Sequence, residues 1–227
     1  MKFIVFGLGS FGASLSEQLV QLGHEVIGVD SSLERVEKFK HRITHAIALD
    51  ATNKEAMQQL PIKDLDAAIV GIGQNEGVNI MVTALIKQMG VKKIICRVTS
   101  SLQKIVLEAM DIKDFVYPEA SAAERLALKL DVPNVVDSFH ISKDYRLLEV
   151  GVPARYIGKS IAQLKLADRY KLVMVTILKP VKNKGGFGHE KNDLKVVGIV
   201  PNDTVLQSGD VLLLFGAPTD LEAFILG

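Results

Sequence analysis

The 227-residue chain predicts a doubly wound parallel α/β sheet followed by a smaller α+β domain. Three observations predict it. Residues 1–30 read as strand, glycine turn, helix, strand and terminal acid. Apolar runs and helical stretches then alternate until six strands have passed. Beyond Phe139 the apolar period shortens to two.

The opening unit sets the pattern. Lys2-Phe3-Ile4-Val5-Phe6 is a short run of β-formers, and Gly7-Leu8-Gly9-Ser10-Phe11-Gly12 follows directly. From Ala13 to Leu22, Leu15, Leu19 and Leu22 recur at helical spacing, and Gly23 closes the helix. Glu25-Val26-Ile27-Gly28-Val29-Asp30 is a second strand ending in an acid. This is the order of a Rossmann-like dinucleotide-binding βαβ unit. Gly7 permits the tight turn, Gly9 lets phosphate approach the backbone, and Gly12 lets helix and strand pack closely. The helix start offers free N–H groups to phosphate oxygens. Asp30 sits where a carboxylate accepts hydrogen bonds from ribose hydroxyls and repels a 2′-phosphate, which disfavours NADP. The alternative is a Rossmann fold that keeps its glycines for packing alone.

The remaining strands of the first domain are expected at His45–Asp50, Asp66–Gly73, Val91–Val98 and Asp114–Pro118. Helices are expected after Ser31-Ser32, over Lys54–Leu60 behind a Thr52 or Asn53 cap, over Glu76–Met89 up to Gly90, and over Leu102–Met110. Ligand then belongs at the carboxyl ends of the strands, near Gly7–Gly12, Asp30 and Asp50.

Residues 1–118 therefore form the nucleotide-binding domain. Residues 119–138 read as crossover helices: Ala122, Ala123, Leu126, Ala127 and Leu130 make an apolar stripe that needs covering, and Val135-Val136 starts a second short helix beyond Pro133-Asn134. A second subunit is the natural cover, which predicts a homo-dimer. Residues 139–227 form the second domain, with strands at Leu147–Pro153, Leu172–Lys179, Leu194–Ile199 and Val211–Gly216, helices at Gly158–Leu164 and Pro218–Leu226, and a mobile loop over Lys182–Asp193.

The composition narrows the function. A net charge of +1 gives no broad footprint for nucleic acid. The single Cys96 excludes an intramolecular disulfide, fits a reducing cytosol and, within an apolar strand, reads as a buried hydrophobe. No run is long enough to span a bilayer, and the chain enters a strand at once, leaving no room for a signal peptide. The expected location is cytoplasmic.

A dehydrogenase needs an acid or base beside the nicotinamide. His24, His41 and His45 lie at the wrong edge of the sheet, His140 at the domain junction and His189 in the predicted loop. No Tyr-x-x-x-Lys pair, Ser/His/Asp set or metal-cluster spacing is present. A nucleotide site without catalytic equipment points to a sensor, whose ligand biases a conformation. The alternatives are a small NAD-dependent oxidoreductase and an interaction module whose site has decayed. Asp50, with Ala51 and Thr52, either faces the adenine side of the pocket or caps its own turn. Arg97 either reaches nucleotide phosphate or forms a surface ion pair. Glu119 either favours a helix N-terminus or binds a cation with its symmetry mate.

These motifs, with Gly23-His24-Glu25-Val26, Asp50-Ala51-Thr52 and Val116-Tyr117-Pro118-Glu119, resemble the RCK domains that regulate potassium channels and transporters. Ile157–Leu164 and Gly209–Gly216 resemble the matching second domain, RCK_C or TrkA_C. The resemblance covers essentially the whole chain and is of the Ktr/Trk type. It implies a dimer through the crossover helix, an octameric ring, and ATP, ADP or NAD(H) at the glycine loop. It also implies docking on a membrane potassium-translocating subunit at the inner face of the cell membrane. Asp30 would be the ribose acid, Asp50 would lie near the adenosine, and Glu119 would match an acidic position tied to Mg²⁺ or another inter-subunit cation. In some members the second domain binds cyclic di-AMP; here Ile161 and Ala162 would supply its apolar floor. Many Ktr-type members carry Arg where this chain has Ser10, and the change weakens the expectation that ATP is told from ADP and strengthens that of NAD(H).

Overall fold

The computed structural model describes residues 1–184 and 190–227, with side chains outside 182–193. The chain divides into two compact units, Met1–Ala120 and Ser121–Gly227.

The first unit is a six-stranded sheet: β1 (Lys2–Phe6), β2 (Glu25–Asp30), β3 (His45–Ala48), β4 (Ala67–Val70), β5 (Ile94–Arg97) and β6 (Asp114–Val116). The order is β3-β2-β1-β4-β5-β6 and every pairing is parallel. Helices α1 (Ser10–Gln21), α2 (Leu33–Phe39), α3 (Lys54–Met57), α4 (Glu76–Gln88) and α5 (Ser101–Ala109) connect the strands. The strand order reverses direction between β1 and β4, so the carboxyl ends of those strands open a crevice there. Ile4, Phe6, Ile27, Val70, Ile86 and Leu107 are buried in the main core, each contributing about 1.5–3 kcal/mol through burial of its side chain.

The helix α6 (Pro118–Asp131) leaves the first unit. It buries no residue completely, and Leu126 and Leu130 are exposed. No second helix follows. Asn134 adopts φ +63°, which ends the helical course, and the β-branched Val135-Val136 pair enters strand β7 (Val135–His140).

The second unit is a five-stranded antiparallel sheet in the order β10-β9-β11-β8-β7. Its other strands are β8 (Arg146–Gly151), β9 (Val173–Lys184), β10 (Glu190–Val196) and β11 (Val211–Gly216). Short helices α7 (Ile161–Leu164) and α8 (Leu166–Tyr170) and the closing α9 (Pro218–Leu226) pack on it, with Phe224, Leu212 and Leu214 fully buried. The Lys182–Asp193 stretch is not a loop throughout. Strand β9 runs to Lys184 and pairs antiparallel with β10, Lys184 opposite Glu190. Such a polar ribbon carries no apolar alternation to read. Residues 185–189, including His189, lie outside the described residues.

Candidate functional site

A cleft of about 390 Å³ lies at the carboxyl ends of the first unit's strands. Its floor is the glycine turn between β1 and α1. Gly7 adopts φ +92°, and its N–H bonds to the Val29 carbonyl at 2.7 Å. A Cβ on Gly12 would lie 1.9 Å from the Gly7 carbonyl oxygen, so only glycine fits beneath the turn. Gly9 is different: nothing lies within 4 Å of the place its Cβ would occupy. Helix α1 begins at Gly9 with no side-chain cap and no acid in its first turn. Ser32, Asn53, Asn75 and Ser100 cap the next four helices. The start of α1 thus keeps its N–H groups and positive dipole end free for an anion.

Asp30 closes one side. The side chain is buried, and its Oδ2 accepts from the Leu8 N–H at 2.7 Å while Oδ1 accepts from the Ser32 N–H at 2.9 Å. Arg35 Nη1 stands 3.4 Å from Oδ2. These contacts fix the carboxylate at the tip of β2 and leave lone-pair capacity toward the cleft. Asp50 lines the same cleft beside Ala51. Its Oδ1 accepts from both the Thr52 N–H (2.9 Å) and the Thr52 hydroxyl (2.7 Å), and the Thr52 hydroxyl bond is the main reason its carboxyl lies below the usual carboxylate range. Asp50 therefore both caps its own turn and faces the cleft, while Asn53 caps α3.

Arg97 closes the other side. Its guanidinium occupies the space over Gly73, where a Cβ would lie 2.3 Å from Cζ. It stands 5.9 Å from the centroid of the Phe11 ring. Nη1 donates to the Gly71 carbonyl at 3.2 Å and Nη2 to the Glu119 carboxylate; Nε is buried without a partner. The buried Asn79 and Gln103 side chains both donate to the Arg97 carbonyl at 3.2 Å, pinning the end of β5.

The structure brings Gly7, Gly9, Ser10, Phe11, Asp30, Asp50, Ala51, Arg97 and Glu119 to one cleft. Gly12 lies beneath the turn and Thr52 acts through Asp50. None of the residues lining the cleft is a histidine. Sequence reasoning did not find Arg35, Gly73, Asn79 or Gln103. The buried polar Asn79 and Thr83 on an otherwise apolar helix face were the available signal. Cys96 is buried against the Thr83 hydroxyl at 3.3 Å, and burial pushes its thiol pKa up. In the second unit Ile161 is packed into the core, and Ala162 beside it is exposed. Among the described residues no helix is long and apolar enough to cross a membrane, and no group of three or more metal-ligating side chains converges.

The open glycine loop at a topological switch point and the acid at the tip of β2 belong to a Rossmann-like doubly wound protein with an appended α+β domain. The TrkA-N domain model matches residues 3–118 and the TrkA-C domain model residues 146–225. The chain belongs to the family that carries these two domains. It is 29% identical over 224 residues to Ktr system potassium uptake protein C of Bacillus subtilis (strain 168), covering 98% of this chain and 95% of that protein. Identity to Ktr system potassium uptake protein A of the same organism is 27% over 223 residues, with the same coverage. Among solved structures, the RCK domain of GsuK superposes with a TM-score of 0.66 at 15% identity, over 99% of this chain and 47% of that one. The GsuK channel bound to NAD gives 0.65 at 16%, over 100% and 39%. The chain spans less than half of each GsuK structure, and these likenesses establish the fold.

Proposed function

We propose that this chain is a cytoplasmic nucleotide-binding regulatory subunit of a potassium uptake system, in which ATP, ADP or NAD(H) held in the cleft biases transport by a membrane-embedded partner. The observation that carries the reading is Gly9. Neither backbone conformation nor packing requires glycine there, since its φ is −69° and its Cβ direction is open. A phosphate approaching the backbone does require it. A decayed site that kept glycines for packing would need Gly7 and Gly12 only. Asp30, fixed at the tip of β2, and the Arg97 guanidinium both line the cleft and support ribose and phosphate contacts for such a ligand.

The relatives' role in potassium uptake supports a regulator instead of an enzyme. The exposed apolar residues of α6 support a homo-dimer through that helix, from which a ring of dimers, an octamer in the family pattern, is built. The partner is then a Ktr/Trk-type potassium-translocating subunit at the inner face of the membrane. A Mg²⁺ or other cation at Glu119 would need ligands from a second copy, because one chain gathers no such group among its described residues. Cyclic di-AMP at the second unit rests on the family pattern, with Ile161 in the core and Ala162 exposed beside it.

The test is a thermal-shift panel of ATP, ADP, NAD, NADH and NADPH on the wild type and on Gly9→Ala. A ligand at a hundred times its Kd stabilises the native state by about 2.7 kcal/mol. The expected result is a shift in the wild type that is lost in a Gly9→Ala protein of unchanged unliganded stability. No shift with any nucleotide would overturn the reading.

A further inference from the structure

Arg97 holds more donors than its partners use. Nη1 is satisfied by the Gly71 carbonyl and Nη2 by Glu119, but Nε is buried and unpaired. The guanidinium lies over Gly73, and the backbone carbonyl of Arg97 is held by Asn79 and Gln103. The ion pair is lopsided: the Arg97 side chain is 16% exposed and the Glu119 side chain 61%. Breaking the pair returns Glu119 to water at little cost, while the half-buried Arg97 cation is left without its counter-ion and gains from a replacement anion. Glu119 also has somewhere to go. It lies in the first turn of α6, where a free carboxylate is favoured by the N–H groups and the helix dipole. Both partners line the cleft that the glycine loop floors.

From this geometry we infer that Glu119 is a built-in competitor of the ligand: a nucleotide phosphate displaces its carboxylate from Arg97 and hands that carboxylate to the start of α6. The inference rests on the nucleotide reading above. A phosphate offers paired oxygens that match the guanidinium fork better than the single contact Glu119 makes at Nη2. The exchange links occupancy of the cleft to the first turn of α6, and the linkage is reciprocal. Anything that draws Glu119 away from Arg97 tightens phosphate binding.

The experiment is isothermal titration of ADP, in EDTA to exclude a bridging cation, into wild type, Glu119→Gln, Arg97→Gln and the double variant. The expected result is ADP binding about two- to fivefold tighter in Glu119→Gln, the worth of a partly exposed ion pair. Arg97→Gln should weaken ADP about tenfold or more. In the Arg97→Gln background the second substitution should change nothing. Unchanged or weaker ADP binding in Glu119→Gln would overturn the competition, as would an equal gain in both backgrounds. Because Glu119 is exposed, its variant tests the idea even where Arg97→Gln folds poorly. Wild-type protein that binds no ADP would overturn the nucleotide reading itself, a result separate from ADP binding that ignores Glu119.

Discussion

The carboxylate of Asp30 accepts a hydrogen bond from the Leu8 backbone N–H at 2.7 Å, tying the tip of β2 to the glycine turn 22 positions earlier in the chain. The same carboxylate holds the Ser32 N–H at 2.9 Å. Asp30 is thus part of the turn's own scaffold as well as the group proposed to meet a ribose. Replacing it with Ala strips partners from buried backbone donors, and a stability loss of about 1–3 kcal/mol is expected in urea unfolding. Asp30→Asn keeps an acceptor oxygen and should lose less stability. It also removes the negative charge, so the preference for NAD over NADP, read by titration of both, should narrow.

Gly12 and Gly9 separate packing from binding. At Gly12 an added Cβ meets the Gly7 carbonyl oxygen at 1.9 Å, and a backbone atom cannot step aside cheaply. Gly12→Ala should therefore destabilise the unliganded protein by about 3 kcal/mol or more, seen as a lower denaturation midpoint. Gly9→Ala should leave that midpoint within about 0.5 kcal/mol of wild type and abolish the ligand-induced shift. Equal stability losses in the two variants would mean that the turn is purely structural.

Thr52 gives the cleft a small pH dependence. Its hydroxyl and N–H hold the Asp50 carboxyl below the ordinary value of 3.8. A folded-state pKa below the unfolded one means that the bound carboxylate stabilises the protein above about pH 4 and loses that contribution as pH falls through the folded value. Thr52→Val removes the hydroxyl. Because Asp50 is solvent-exposed, the expected loss at pH 7 is only about 0.5 kcal/mol or less. The difference from wild type should shrink as the solution is acidified below pH 4, measured as paired urea midpoints across the range.

The parts of this molecule that were legible from its residues share a physical reason. Strands β1, β2, β4 and β5 are buried in a parallel sheet, so their apolar runs are continuous, and the turns between them need residues with unusual backbone freedom. Gly7, Gly12 and Asp30 stand out on those grounds. The polar extensions of β9 beyond Lys179 and of β10 before Leu194 escaped notice because they carry no apolar alternation, and β7 because Val135-Val136 suits either helix or strand until Asn134 turns the chain. Asn79 and Gln103 were missed for another reason. Their partners are backbone carbonyls brought close only by the fold, such as that of Arg97, 18 residues beyond Asn79. Nothing local to either side chain announces that contact.

The buried thiol provides a direct probe of how tightly this half of the sheet is closed. Cys96 is fully buried on β5, and burial raises its pKa above the ordinary thiol value although the Thr83 hydroxyl partly offsets the effect. The thiolate is the reactive form, so both access and ionisation work against alkylation. The native protein should resist iodoacetamide at pH 8 and become reactive only in urea, in step with unfolding.

Asn79 joins the ends of two strands on the wall of the cleft. Its Nδ2 donates to the Ile72 carbonyl at 2.8 Å, just past β4, and to the Arg97 carbonyl at 3.2 Å, at the end of β5. The side chain is wholly buried, so removing it takes the donor from the Ile72 carbonyl and leaves the Arg97 carbonyl with Gln103 alone. Asn79→Ala should destabilise the protein by about 2–3 kcal/mol through the lost donors and the cavity. Asn79→Leu fills the space but restores no donor, so it should recover only part of that loss. Both variants also free the backbone beneath Arg97, and ADP affinity should fall in each while the contacts of Asp30 on the opposite wall are untouched. If Asn79→Leu restores stability fully, the Asn79 hydrogen bonds are incidental to packing. If it restores stability but not ADP affinity, Asn79 acts mainly by holding Arg97 toward the cleft.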